Sequence, residues 1–478
     1  MKINIRTLLR LTSLLLLVGV CGLPSQSVAE GGSDKDRSCL TFGAGMRYRY
    51  EFQHNFNQKF YGGNPGAGKA NDGFLLGRFR AGLDWYPTNK IHIALWGQHS
   101  EAWDMALRES AFYKGNFKSE HNPNKDRWEL YTTYIEVVGL FDQSLTLKAG
   151  RQLIHYGDKR VFGPGQWGNT GRWIWDAVKL SWRFDRGFVD LFFGQTMLHD
   201  VRRFSLNHRH GFASLGLVAH VDVLQGPWAL GLEPMLFTKY DKHHTYSGEK
   251  TDFYLDSDAN RVTVKKTGQL DSWYGGARLY GRIPGGLDFS GTFLQEQGDF
   301  AHDDLRAYGY HVMIGYKLRA PWKPRLSIAY SYASGDSNPG DGDHETFQGA
   351  FGARDKMYGR MNLFHWRNLR DLEAGLSMQP VKGLKVQLAF HKFLLAERKD
   401  GWYLNSKAYR DKTGCSGDDV GRELDFTAKY KLSCSHMLMA GVGHFWPDEF
   451  AKKTASSKQA SWFFMQWEYT FNTSLMKP

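Results

Sequence analysis

The residues able to do chemistry in this 478-residue chain are mostly cations. The densest group lies in "KAGRQLIHYGDKRVFGPGQWGNTGRWIWDAVKLSW", Lys148 to Trp182, where Arg151, Arg160 and Arg172 stand among glycines and tryptophans. This stretch has no nucleophile with a base beside it and no metal-ligand spacing. Guanidinium groups are always charged and pair carboxylates bidentately, so the chemistry on offer is anion recognition. More cations recur at alternating positions: Arg47, Arg49, Arg78, Arg80, Lys148, Lys179, Arg278, Arg325, Lys385 and Lys429. Asp158, Asp176, Glu423 and Asp425 are the acids placed to pair with them.

Other constellations carry less. Asp336, Asn338, Asp341, Asp343 and Glu345 offer oxygen ligands to calcium, but Pro339-Gly340 breaks the EF-hand register. A solvated acidic loop is the simpler reading. His243-His244 is a loop pair with no third ligand. His311 and His391 fall on strand positions, yet alternation forces no serine beside them, so no catalytic set is expected and no cofactor is implied. Cys39, Cys415 and Cys434 fit neither a disulfide framework nor a zinc pattern and are expected as free thiols.

The N-terminus is a separate case. Lys2, Arg6 and Arg10 precede a short apolar run, Leu14 to Val20, and Ser27-Val28-Ala29 is a small-x-small cleavage site. Residues 1–29 therefore read as a secretory signal, too short to span a membrane, leaving 30–478 as the mature chain. Three of the +12 net charges leave with it, so the remainder stays basic at +9. A basic exported chain points to an anionic partner, and no nucleic-acid motif is present.

The elements that must position these cations are strands. Alternation of period two dominates and helical spacing is almost absent. Marking the alternating segments gives 18 strands between about 40 and 471, an even number, with residues 472–478 as a short tail. In one, Phe79, Ala81, Leu83 and Trp85 share a face opposite Arg78, Arg80, Gly82 and Asp84. Short connections such as Pro87-Thr88-Asn89, Asp185-Arg186 and Pro284-Gly285 alternate with long ones at 53–73, 102–126, 154–171, 241–269, 336–368 and 397–421. Alternating short and long connections are the outer-membrane pattern of short periplasmic turns and long external loops. The expected fold is all-β: one closed antiparallel transmembrane barrel, apolar towards lipid, polar towards its lumen. Trp85, Tyr86, Trp182, Phe184, Tyr316, Trp322 and Trp446 are expected in an interfacial girdle.

Three blocks carry a resemblance: "GRQLIHYGDKRVFG" with "QWGN", "GR" and "WDAVKL"; "SYASGDSNPGDGDHETF" with "KMYGRMNLFHWRNLRD"; and "GRELDFTAKYKL". Together they resemble the alginate export family of outer-membrane β-barrels over residues 40–471. The resemblance implies a wide barrel whose arginine-lined constriction passes an acidic polysaccharide. It points to Arg151, Gln152, Arg160 and Arg172, and by position to Arg325 and Glu423. Asn362 stands where related sequences tend to have Asp. The implied partners are outer-membrane lipid, anionic polysaccharide or other organic anions, and periplasmic secretion proteins. Two readings stay beside it: a general small-solute porin and a barrel hydrolase.

Overall fold

The computed structural model describes residues 38–57, 60–62, 71–107, 112, 122–141, 144–165, 167–201, 204, 209–241, 252–255, 261–264, 269–301, 303–339, 341–353, 357–404 and 407–476. The signal segment 1–29, His243-His244 and Gly340 lie outside them.

Eighteen long strands follow one another: β1 (Cys39–His54), β2 (Asp72–Thr88), β3 (Ile91–Trp103), β4 (Asp126–Leu140), β5 (Leu145–Leu153), β6 (Ile174–Phe184), β7 (Gly187–Leu198), β8 (Arg209–Leu224), β9 (Ala229–Tyr240), β10 (Leu270–Ile283), β11 (Leu287–Phe300), β12 (Asp303–Lys317), β13 (Arg325–Ala333), β14 (Leu369–Met378), β15 (Leu384–Leu394), β16 (Asp419–Lys431), β17 (His436–Pro447) and β18 (Ala460–Met476). Each pairs antiparallel with the next, and β1 pairs with β18, so the sheet closes on itself. The fold is the expected closed 18-stranded antiparallel barrel.

Alternation sets the faces. Leu191, Phe193, Leu215, Leu217, Ile314, Ile328 and Met465 point outward and are exposed, a belt of apolar side chains that a lipid phase would cover. Among the described residues no helix is long and apolar enough to cross a membrane. Trp85, Trp182, Phe184, Tyr316 and Trp322 are exposed towards the short-turn end, as a girdle requires. Tyr86 is also exposed at this end, one residue past the outward Trp85, and stacks on His92 at 4.2 Å. Trp446 lies near the end of β17, at the opposite, long-loop rim, where a second girdle runs.

The ends and loops differ in more ways. The last strand continues to Met476, and the residues expected as a tail pair with β1: Asn472 with Gly43, Thr473 with Phe42, Ser474 with Thr41 and Met476 with Leu40. Without them β1 would present an unpaired edge. Two of the long loops contribute to a second, four-stranded sheet of residues 252–255, 261–264, 401–404 and 407–411. Strands of four or five residues are too short to show alternation. A six-residue helix, α1 (Glu449–Thr454), joins β17 to β18.

The expectation of a uniformly polar lumen fails. Towards the long-loop end, Trp175, Phe192, Phe237, Tyr274, Leu294, Phe393, Phe445, Trp462 and Phe464 face inward and are buried. They pack against residues of two connections that fold into the barrel, Ile154 to Trp173 and Phe347 to Trp366. Both were expected among the long external loops, with the arginines of the first at the mouth or in the lumen. Towards the short-turn end the inward wall is charged, and Lys385 and Lys429 are exposed on it.

Ending the chain at Phe471 leaves Leu40 to Gly43 without their β18 partners. The truncated barrel should lose its folded gel mobility at a lower temperature in detergent than the full chain. Equal transition temperatures would show that the last pairs do not contribute to closure.

Candidate functional site

The functional surface of a barrel is its lumen, and here it is built around the first two strands. Arg47 on β1 faces Arg78 on β2 in direct register, with Arg49 one pleat further along β1 and Arg80 one pleat further along β2 in the opposite direction. Period two puts all four guanidinium groups on the inner face. Two acids of the same region accompany them: Glu51, 2.7 Å from Arg49, and Glu468, which lies opposite Arg47 on β18. Arg80 donates to Gln98 Oε1 at 2.7 Å and lies 3.6 Å from the Tyr131 ring centroid. Among the described residues neither Arg78 nor Arg80 has a carboxylate at ion-pair distance, and Arg78 Nη1 is buried without a hydrogen-bond acceptor.

The connection 154–173 crosses onto this cluster. Arg47 Nη2 donates to Asn169 Oδ1 at 3.1 Å and to the Gly168 carbonyl at 3.3 Å. Arg49 stacks on Trp167 at 3.7 Å, and Trp167 packs edge-on against Trp462 and Phe464 of β18. Asn169 is the pin. Its amide donates to the carbonyls of Gly77 (2.7 Å), Glu101 (2.9 Å) and Asn124 (3.0 Å), while its own carbonyl accepts from Ser100 Oγ at 3.0 Å. Gly171, at φ +89°, provides a backbone turn that other residues rarely adopt.

The other end of this connection is fastened to the second inward loop. Phe162 and Phe351 form an isolated parallel bridge, Gly163 N–H donates to the Phe351 carbonyl at 3.0 Å, and Ala353 N–H donates to the Lys159 carbonyl at 2.9 Å. Phe162 is fully buried, with Phe237 at 4.5 Å and Phe192 and Phe351 at 5.5 Å. Lys239 reaches the Gly349 carbonyl at 2.6 Å. Glu296 accepts from Gln348 N–H at 2.7 Å and from Tyr274 Oη at 2.5 Å.

The other candidate cations divide by partner. Arg151 is buried and clamped by Glu129 (2.8 Å) and Asp176 (2.7 Å). Arg160 pairs with Asp158 at 3.4 Å and meets His311 at 3.2 Å. Lys148 pairs with Glu136 (3.2 Å), Lys179 with Asp190 (2.9 Å), Arg278 with Glu233 (2.9 Å) and Arg325 with Asp288 (2.5 Å). Arg325 opens β13 at the short-turn end. Arg172 stacks on Trp173 at 4.4 Å. Lys385 and Lys429 stand side by side in register. Asp158 and Asp176 pair with arginines, whereas among the described residues Glu423 and Asp425 pair with none. They accept the backbone N–H groups of Met361 (3.0 Å) and Arg360 (2.9 Å). A Cβ on Gly359, at φ +78°, would fall 2.4 Å from the Glu423 carboxylate, so this approach requires glycine.

The oxygen-rich loop does not gather round one point. Asp336 is 5% exposed and turned towards Asp400, whose Oδ2 accepts the Asp336 N–H at 3.0 Å; Asp341 and Asp343 are exposed. Burial, then the Asp400 carboxylate, pushes the Asp336 carboxyl up to about 7. Among the described residues, the groups whose donor atoms converge lie elsewhere, at Asp126, Glu129 and His199 and at Asp371, Glu373 and His391. Cys39, Cys415 and Cys434 are free thiols.

A closed barrel with inward loops pinned over a basic wall is the frame in which relatives can be weighed. The alginate export family matches residues 38–464. The chain belongs to the alginate export family. No curated protein matches it in sequence. In fold, this family member is similar to the crystal structure of Pseudomonas aeruginosa OccD3 (OpdP), at 11% identity and TM-score 0.55 over 92% of each chain. It is similar to Acinetobacter baumannii OccAB2, at 11% identity and TM-score 0.56, covering 91% of this chain and 98% of that one. It is also similar to the outer membrane protein OprD of Pseudomonas aeruginosa, at 10% identity and TM-score 0.53, covering 91% and 94%. The protein is an outer-membrane channel of the alginate export family.

Two outcomes follow. Phe162→Ala removes a fully buried ring, a change that typically costs about 3–5 kcal/mol. Here it should loosen the 154–173 connection, raise single-channel conductance and expose that segment to protease; unchanged conductance would show that it does not narrow the path. Asp336 holds a proton in the fold between pH about 4 and about 7, where an unfolded carboxyl has lost it. Its stabilising effect is therefore full at acid pH and is lost as pH rises through that window. Hydrogen exchange of residues 334–339 should be less protected at pH 8 than at pH 5 relative to Asp336→Asn, which cannot titrate. A difference that is flat with pH would remove Asp336 from the account.

Proposed function

We propose that this channel is a passive conduit for anionic polysaccharide of the alginate type, or for other organic anions, through a lumen whose field is set by arginine and lysine. The observation that carries the reading is the Arg47–Arg49–Arg78–Arg80 cluster. Four guanidinium groups share one wall with Glu51 and Glu468, and Arg78 and Arg80 lack a carboxylate at ion-pair distance among the described residues. Such a surplus in a narrow, low-dielectric passage raises local anion concentration and selects the sign of what passes. Guanidinium forks also match uronate carboxylates geometrically.

Lys385 and Lys429, exposed towards the short-turn end, extend the positive lining. The inward loops supply a gate: the connection 154–173 lies directly on the arginines, so a polymer that reaches them competes for Arg47 with Gly168 and Asn169. Residues 1–29 direct the chain through the inner membrane and are removed after Ala29. Periplasmic secretion proteins are the partners that such a conduit implies.

The test is electrical. Arg78→Glu with Arg80→Glu reverses two lumen charges, and the reversal potential of the channel in a salt gradient across a planar bilayer should move towards cations. Acidic oligosaccharide should block the wild-type current at lower concentration than neutral oligosaccharide of equal length, and the double variant should lose that difference. An unmoved reversal potential would remove these arginines from the conduction path. Equal block by acidic and neutral sugars would favour a general small-solute porin.

A further inference from the structure

Away from the arginine wall, β14, β15 and β16 turn four carboxylates and one imidazole towards the lumen. Glu373, His391 and Glu423 stand in one row across the three strands. Asp371 lies one pleat towards the long-loop end and Asp425 one pleat the other way. Donor atoms of Asp371, Glu373 and His391 all lie within 4.8 Å of one another. The site is buried: Asp371 is 1% exposed, His391 4%, Glu423 0% and Asp425 2%.

Its acids are only half satisfied. His391 Nδ1 meets Asp371 Oδ1 at 2.9 Å, Glu423 Oε1 accepts from Met361 N–H and Asp425 Oδ2 from Arg360 N–H. Asp371 Oδ2 is buried with no hydrogen-bond donor among the described residues, and Glu423 and Asp425 lie close enough to hydrogen-bond to each other, which they do only by sharing a proton. No lysine or arginine of the described residues forms an ion pair with any of the four acids; the only ion pair among them is that of His391 with Asp371. The nearby Arg160 donates to Asp158 and His311 and keeps Nη1 buried without an acceptor, so its charge reaches Glu373 without a hydrogen bond to it. Carboxylates held this close, and out of water, need a counter-charge or shared protons.

The donor set decides between kinds of cation. Calcium and magnesium take oxygen shells, whereas an imidazole beside carboxylates suits zinc and its first-row neighbours. The other converging group, Asp126, Glu129 and His199, already has Arg151 at 2.8 Å from Glu129. We propose that Asp371, Glu373 and His391 hold a divalent transition-metal ion, with Glu423 in the same row as a further donor. The ion ties three neighbouring strands together across the barrel wall. It also cancels negative charge that would otherwise face the lumen. The proposal does not depend on the anion-conduit reading, because it is read out by binding and not by current.

Zinc is the probe. The folded full-length barrel in detergent, stripped with chelator and dialysed against zinc, should retain about one zinc per chain by elemental analysis. Cobalt(II) added to the stripped wild type should give visible absorption that zinc displaces, a readout that requires no variant. His391→Ala should lose the zinc while keeping folded gel mobility, and His199→Ala should keep it. Magnesium at a hundredfold excess should not displace zinc. The proposal is overturned if stripped wild type binds no zinc or cobalt, if His391→Ala retains the metal, or if magnesium displaces it. The first result would leave the acids sharing protons instead.

Discussion

The ladder between β1 and β18, running from Leu40–Met476 to His54–Ser461, is the constraint on which the other pairings depend. A sheet in hydrocarbon has no water to satisfy its edge groups, and each unpaired amide there costs several kcal/mol. Closure removes both edges together. It also fixes the alternation all round the ring, because a one-residue slip in any strand would expose its charged face to lipid. The inward set of arginines on β1 and β2 and the outward set of Leu, Ile and Phe are two results of that one register.

Closure encloses a space wider than wall side chains alone fill, and this chain fills it unevenly. Towards the long loops, aromatic wall residues and two infolded connections make a packed interior of the kind found in soluble proteins. Towards the short turns the wall is ionic and open, with Arg325–Asp288 as a wall pair and Lys385 and Lys429 exposed. Between the two lie the pinned loop and the charge clusters. The arginine cluster lies on β1 and β2, and the carboxylate cluster on β14 to β16.

Much of this frame was legible because it is local. Phe79 and Arg78 are adjacent, and their opposite faces follow from the pleat alone. Strand number, alternating loop lengths and the inward direction of Arg47, Arg49, Arg78 and Arg80 follow in the same way. Contacts between distant segments were not legible. Asn169 gives no signal of burial in "QWGNTGR", since its partners Gly77, Glu101 and Asn124 come from elsewhere in the chain. Phe192 and Phe237 alternate as well as any lipid-facing aromatics, and only a loop packed against them shows which face is dry. Asp371, His391 and Glu423 read as three unrelated residues until the register aligns them. The loop around Asp336 was legible in part: Asp341 and Asp343 are exposed as a solvated loop requires, while the burial of Asp336 beside Asp400 comes from a segment far along the chain.

The bridge between Phe162 and Phe351 bears on motion. Backbone hydrogen bonds at Gly163 and Ala353 join two loops that enter the barrel from different hairpins. Neither can swing aside without breaking those bonds or carrying the other with it. Their displacement is therefore coupled. Whatever displaces one loop also acts on the other, and the two widen or narrow the lumen as one unit.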